Sequence, residues 1–202
     1  VAIAADGNVL VAGKYGGETI FGEQHLTSAL GTPSGSVAFL AKLDRSGDTI
    51  WSTSYALDEN SWIRGLVPLA DGGAIAIGST AGGTEAVLQR YSPTGERTST
   101  LPVSVDNQPV ALAIAPDGDL VVTGVWVTSS NGAVTGGGPS IEKMGLDGTL
   151  RFSRRFTSTG PGPNSFESVV VGADGHIFVA GSVGGSSGFA PERRARCWLF
   201  RF

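Results

Sequence analysis

Two residues apart, Trp62 and Arg64 set an indole beside a guanidinium, a combination that offers a stacking surface and a bidentate donor to a sugar or a carboxylate. Five further side chains are candidates for the same work by their position in connecting segments: Tyr15, His25, Trp126, Arg193 and Arg194. The competing role for Trp62 and Trp126 is to cap the hydrophobic edges of their sheets. Trp51 and Trp198 lie inside strand patterns and read as packing residues. His25 has no partner carboxylate in view, and His176 directly follows an Asp-Gly turn.

Covalent and metal chemistry find little material. Gly184 to Gly188 matches G-x-S-x-G formally, but a nucleophile elbow needs a strand-to-helix turn and this stretch is a Gly/Ser loop. Asp44-Arg45-Ser46-Gly47-Asp48 alternates oxygen ligands like the start of a calcium loop, yet lacks the glycine at position six and the later glutamate. Cys197 is a single cysteine, so it forms no internal disulfide, and its setting in CWLFRF marks a small buried residue. No metal and no cofactor are expected. Arg64 and Glu167 stand at equivalent offsets from their Asp-Gly turns with Val110 between them, which is thin material for catalysis.

The net charge of −4 is uneven: residues 1–140 carry 6 basic and 13 acidic side chains, residues 141–202 carry 8 and 5. Such a balance gives no support to nucleic-acid binding, which needs a concentrated basic face. Arg151, Arg154, Arg155, Arg193, Arg194 and Arg196 are basic enough to contact an anion locally, but the expected role of exposed arginines is a solvated surface. No apolar stretch reaches the length of a membrane span, and no signal peptide is visible. The first residue is Val1, which suggests processing, trimming or excision from something longer.

These candidates are held by a repeat. AADGNVLVAG (4–13), LADGGAIAIG (69–78), APDGDLVVTG (115–124) and GADGHIFVAG (172–181) are four copies of one unit, each an acidic turn followed by an apolar run that closes on glycine. Apolar segments on both sides of Asp-Gly form hairpins, and their near-continuous apolarity predicts that both faces are covered. A second hairpin recurs around Gly47, Gly95 and Gly148, with Lys42, Arg90 and Lys143 five residues before each glycine. Its later strand mixes polar and apolar residues, as an outer strand does. The expected unit is a four-stranded antiparallel meander. With 31 glycines and 10 prolines, long helices are unfavourable and the chain reads as all-β.

Stacked radially, such meanders are the blades of a β-propeller, expected at residues 1–57, 58–105, 106–158 and 159–202, fifteen strands with the last blade incomplete. A β-solenoid needs coils of nearly constant length, whereas the acidic turns are 65, 46 and 57 residues apart. The expected long second-to-third connections, Lys14 to Val37, Ser79 to Glu85, Val125 to Pro139 and Ser182 to Arg196, define one rim. The tight turns define the other.

The succession of an inner strand ending in DG, VLVAG, FLAKLD and GDTIWSTSY, clearest at residues 1–55, resembles the bacterial β-propeller repeat family called SBBP, and more distantly NHL-type and PQQ-type blades. Ser99 stands where that pattern has the tryptophan of Trp51. The resemblance implies a bacterial module that is extracellular, on the cell surface or periplasmic, and implies no reaction. The expectation is a noncatalytic module that binds a protein or glycan through the long-loop rim and self-associates. One rival is a structural fragment that completes its ring by oligomerisation. The other is an enzyme of the lyase, glycosidase or quinoprotein kind with its site at the ring centre.

Overall fold

The repeated turns share one construction. The Gly7 amide donates to the Ala4 carbonyl and the Ala4 amide to the Asn8 carbonyl, both at 2.9 Å, with Gly7 at φ 79°. Gly72, Gly118 and Gly175 repeat this after their aspartates, and Gly47, Gly95 and Gly148 repeat it at the second set of hairpins. Glycine is thus the fourth residue of an ordinary turn and the bulge residue that follows it, rather than the second half of a two-residue loop. The aspartate has a separate task. Asp6, Asp71, Asp117 and Asp174 each accept, through Oδ1, the amide two residues on, at 2.9 to 3.2 Å. Those bonded carboxyls are all held below the usual aspartate range. The backbone N–H is the first cause at Asp6, Asp71 and Asp174, and the Lys143 ammonium at Asp117.

The computed structural model describes residues 1–27, 36–55, 61–79, 86–103, 107–130, 133–157, 164–182 and 197–201. The side chains of 36, 107, 129, 130, 133–135 and 197–201 are not part of that description. Among these residues the secondary structure is all β: β1 (Ala2–Ile3), β2 (Val9–Gly16), β3 (Glu18–Phe21), β4 (Gln24–Thr27), β5 (Ser36–Leu43), β6 (Thr49–Tyr55), β7 (Trp62–Pro68), β8 (Ala74–Ser79), β9 (Ala86–Tyr91), β10 (Arg97–Val103), β11 (Asn107–Ile114), β12 (Leu120–Ser130), β13 (Ala133–Met144), β14 (Leu150–Arg155), β15 (Ser165–Val171), β16 (Ile177–Ser182) and β17 (Cys197–Arg201). Consequently no described helix is long and apolar enough to cross a membrane.

The strands form antiparallel sheets ordered β1-β2-β5-β6, β10-β9-β8-β7, β11-β12-β13-β14 and β15-β16-β17, with β3-β4 as a separate hairpin. The chain divides into two compact units, Val1–Val103 and Ser104–Phe202, each holding two of the repeated sheets. Within the first unit, Leu10, Leu40, Trp51 and Tyr55 of one sheet pack on Ala74, Ala76 and Tyr91 of the next. Within the second, Ala113, Val121 and Ile141 pack on Phe166, Val169, Ile177 and Val179. Both faces of β8 are buried along its whole length, as continuous apolarity requires.

Two expected connections are largely strand. Between Lys14 and Val37 the chain continues β2 to Gly16, adds the β3-β4 hairpin and re-enters β5 at Ser36. Between Val125 and Pro139, β12 and β13 extend their pairing as far as Ser130 and Ala133. Thr19, Ile20 and Phe21, and the β-branched residues of Val125 to Thr128, favour pairing over open loop. The strand count is therefore seventeen among the described residues, the two additions being β3 and β4. Most of the expected connection Ser79 to Glu85 and nearly all of Ser182 to Arg196 lie outside the described residues.

A further regularity concerns the first strand pair of the repeats. The register slips by one residue at Arg64 in β7, at Val110 in β11 and at Glu167 in β15. Each of these three residues is the extra member of a β-bulge. Facing the bulges are Gly78, Gly124 and Gly181, the glycines that close the repeated motif. A Cβ on them would overlap the carbonyl oxygens of Trp62, Gln108 and Ser165 respectively. At these three positions a bulged strand leaves no room for a Cβ, whereas at Gly13 it is the Phe39 ring that fills the space.

Candidate functional site

Lys14 stands near the end of β2, and Trp62 and Arg64 stand at the start of β7, so two neighbouring sheets of the first unit bring these side chains together. The Lys14 ammonium lies 3.3 Å from the centroid of the Trp62 ring, and the Arg64 guanidinium carbon lies 4.9 Å from it. Those legs laid end to end put the two charges no more than about 8.2 Å apart, within the Debye length of about 10 Å at 0.1 M salt. Burial first, and then the charge of Arg64, lowers the Lys14 ammonium below the ordinary lysine value.

The bulge accounts for Arg64. As the extra residue between Ile63 and Gly65 it is released from cross-strand pairing, and its side chain is aimed out beside Trp62. The indole is 44% exposed, and among the described residues nothing accepts its N–H. Neither Lys14 nor Arg64 has a carboxylate partner among the described residues. The cluster therefore presents only donors: an ammonium, a guanidinium and an indole N–H.

The other candidates are placed differently. Tyr15 is 8% exposed, its hydroxyl 2.6 Å from Ser54 Oγ and its ring edge-on to Phe39, so it anchors β2 against β6 and the core beside the cluster. His25 Nδ1 lies 2.7 Å from Glu18 Oε1, a partner supplied within the β3-β4 hairpin itself. In the second unit, Trp126 donates its indole N–H to the Phe156 carbonyl at 3.0 Å, with the Arg155 guanidinium 5.7 Å from the ring. Its donor is spent within the fold, unlike that of Trp62. Arg193 and Arg194 lie outside the described residues.

Sequence reasoning singled out Trp62 and Arg64 but passed over Lys14 as the boundary of a loop. The signal was positional: the residue after the closing glycine is Ser79, Val125 or Ser182 in the other repeats and a lysine only here.

No family model matches the sequence. No curated protein matches it either. Among solved structures the chain is similar to a protein of unknown function from Bacteroides caccae, with 13% identity over 78% of this chain and a TM-score of 0.48. The chain spans 56% of the length of that protein. It is also similar to a streptogramin B lyase, with 13% identity, 87% of this chain and 96% of the other covered, and a TM-score of 0.24.

Proposed function

We propose that this chain is a noncatalytic β-propeller repeat module, bacterial and located outside the cytoplasm, that binds a protein or glycan partner through the rim opposite the tight Asp-Gly turns. Four copies of one strand-turn-strand unit, built into successive antiparallel sheets, support the repeat architecture. The observation that carries the binding role is the Lys14–Trp62–Arg64 cluster. It joins a half-exposed indole, whose N–H no described residue accepts, to two cations that no described carboxylate neutralises. A core tryptophan would be covered and its N–H bonded, as Trp51 and Trp126 are.

The test is a glycan array and a pull-down with the wild-type chain, Trp62→Ala and Arg64→Ala. Loss of the bound partners on both substitutions is the expected result, and unchanged partners remove the binding role from this rim. A second reading is a module that completes its sheets by pairing with another copy. Light scattering that finds a stable monomer at micromolar concentration removes that reading.

A further inference from the structure

Residues 1–103 contain ten carboxylates and six cations, so any cation in this unit has more opposite charges than it needs. Two of the six stand within 4 Å of a carboxylate, and a third is engaged by a backbone carbonyl. Lys42 donates to the Gly72 carbonyl with Asp6 3.7 Å away, Arg45 Nε donates to the Asp6 carbonyl, and Arg90 pairs with Asp71 at 2.8 Å. Lys14 and Arg64 do the opposite: they share one indole with each other. Two like charges at that separation repel, and both are held over one ring. Among the described residues no carboxylate reaches either cation, which leaves this donor pair open to an acceptor that comes from outside.

The ligand chemistry follows from the donor set. A carboxylate has two oxygens, which match the guanidinium fork, and the remaining lone pairs can take an ammonium or an indole N–H. Trp62 is 44% exposed, and whatever part of its indole the two cations leave uncovered offers apolar surface to the C–H groups of a pyranose, a contact that an acidic peptide side chain does not require. The bulge at Arg64, pinned by Gly78 against the Trp62 carbonyl, fixes the backbone of β7 at this point, so the site is set before the ligand arrives.

We propose that Lys14, Arg64 and Trp62 form a binding site for the carboxylate of a uronic-acid unit in an acidic glycan. This rests on the reading of the long-connection rim as a binding surface and gives that surface its ligand class.

Titration calorimetry with oligogalacturonate, a neutral galactan of similar length and poly-glutamate separates the possibilities, each variant being checked for an unchanged thermal unfolding profile. Oligogalacturonate is expected to bind, with an affinity that falls as salt is raised, and Lys14→Ala and Arg64→Gln are each expected to weaken it by about tenfold or more. Arg64→Lys should recover part of that loss, because it keeps the charge and gives up the fork. Neutral galactan binding that needs Trp62 and ignores Lys14 and Arg64 overturns the uronate site while leaving the binding rim standing. Poly-glutamate binding as tightly as oligogalacturonate overturns the glycan assignment. If none of the three probes binds, the uronate site is overturned, and the partner capture by wild type and Trp62→Ala described above then decides separately whether the rim binds anything at all.

Discussion

The two units solve one packing problem with different chemistry. In the first, three side chains of one sheet donate hydrogen bonds to carbonyls of the next: Lys42 to Gly72, Trp51 to Pro93 and Tyr55 to Val87, at 2.8 to 2.9 Å. Trp51 also stacks on Tyr91 at 6.4 Å and 17°. Counting from the turn glycines Gly47 and Gly148, the same positions in the second unit are Lys143, Phe152 and Phe156. Neither phenylalanine has a donor, and Lys143 turns back to Asp117 of its own sheet. There Thr123 donates to the Phe166 carbonyl at 3.1 Å, and Phe156 meets Phe166 edge-on. Two open clefts lie between the second unit's sheets among the described residues. One, of about 230 Å³, is lined by Asp117, Lys143 and Asp174 among others, and one of about 410 Å³ by Ile141, Phe152, Arg154, Gly175 and Ile177. A donor aimed at one carbonyl fixes how two sheets register, whereas apolar rings fill space without choosing a register.

The sharpest way to break this contrast is to truncate the paired aromatic residues. Trp51→Ala removes a 5% exposed indole and its bond, and is expected to cost about 3–5 kcal/mol in denaturant unfolding. Phe152→Ala starts from a ring already 36% exposed and should cost about 1–2 kcal/mol. Equal losses would show that the seams are energetically alike. Next in size, Tyr55→Phe leaves the Val87 carbonyl buried without its donor, for an expected loss of about 1–3 kcal/mol on the same assay. A neutral result would mean that packing alone sets the first seam.

The smallest effect concerns charge and is read by NMR titration. The ammonium of Lys143 is the first cause of the lowered Asp117 carboxyl, whereas the Gly73 N–H is the first cause at Asp71 and Lys42 has no part in it. Lys143→Met should therefore raise Asp117 toward the ordinary value, while Lys42→Met leaves Asp71 where it is. Because the folded-state values are depressed, the stabilisation by these carboxylates is complete above the unfolded aspartate value of about 3.9 and is lost as pH falls through the folded values. No movement of Asp117 in the lysine variant would count against the pairing of Lys143 within its own sheet.

What could be read from residues alone was local. Asp-Gly between apolar runs located the hairpins, and alignment on Gly47, Gly95 and Gly148 placed the outer strands correctly, because both signals lie within a few residues of the structure they describe. The turn geometry itself was misleading, since glycine serves as a bulge residue and aspartate as an acceptor for the backbone. The β3-β4 hairpin and the extension of β12 with β13 were missed because their glycines and β-branched residues look the same in a loop. Two of the three residues of the candidate site were legible, Trp62 and Arg64. Lys14 was not, because its meeting with Trp62 depends on how β2 of one sheet comes alongside β7 of the next, which no short stretch of residues records.

The bulge that faces Gly78, Gly124 and Gly181 has a consequence for how such a chain can vary. Glycine holds the backbone there, and three repeats fill that one address with arginine, valine and glutamate. Those three repeats thus share a socket whose backbone is constant and whose contents differ, from an exposed guanidinium at Arg64 to a carboxylate at Glu167 that accepts from Ser165 and Ser182.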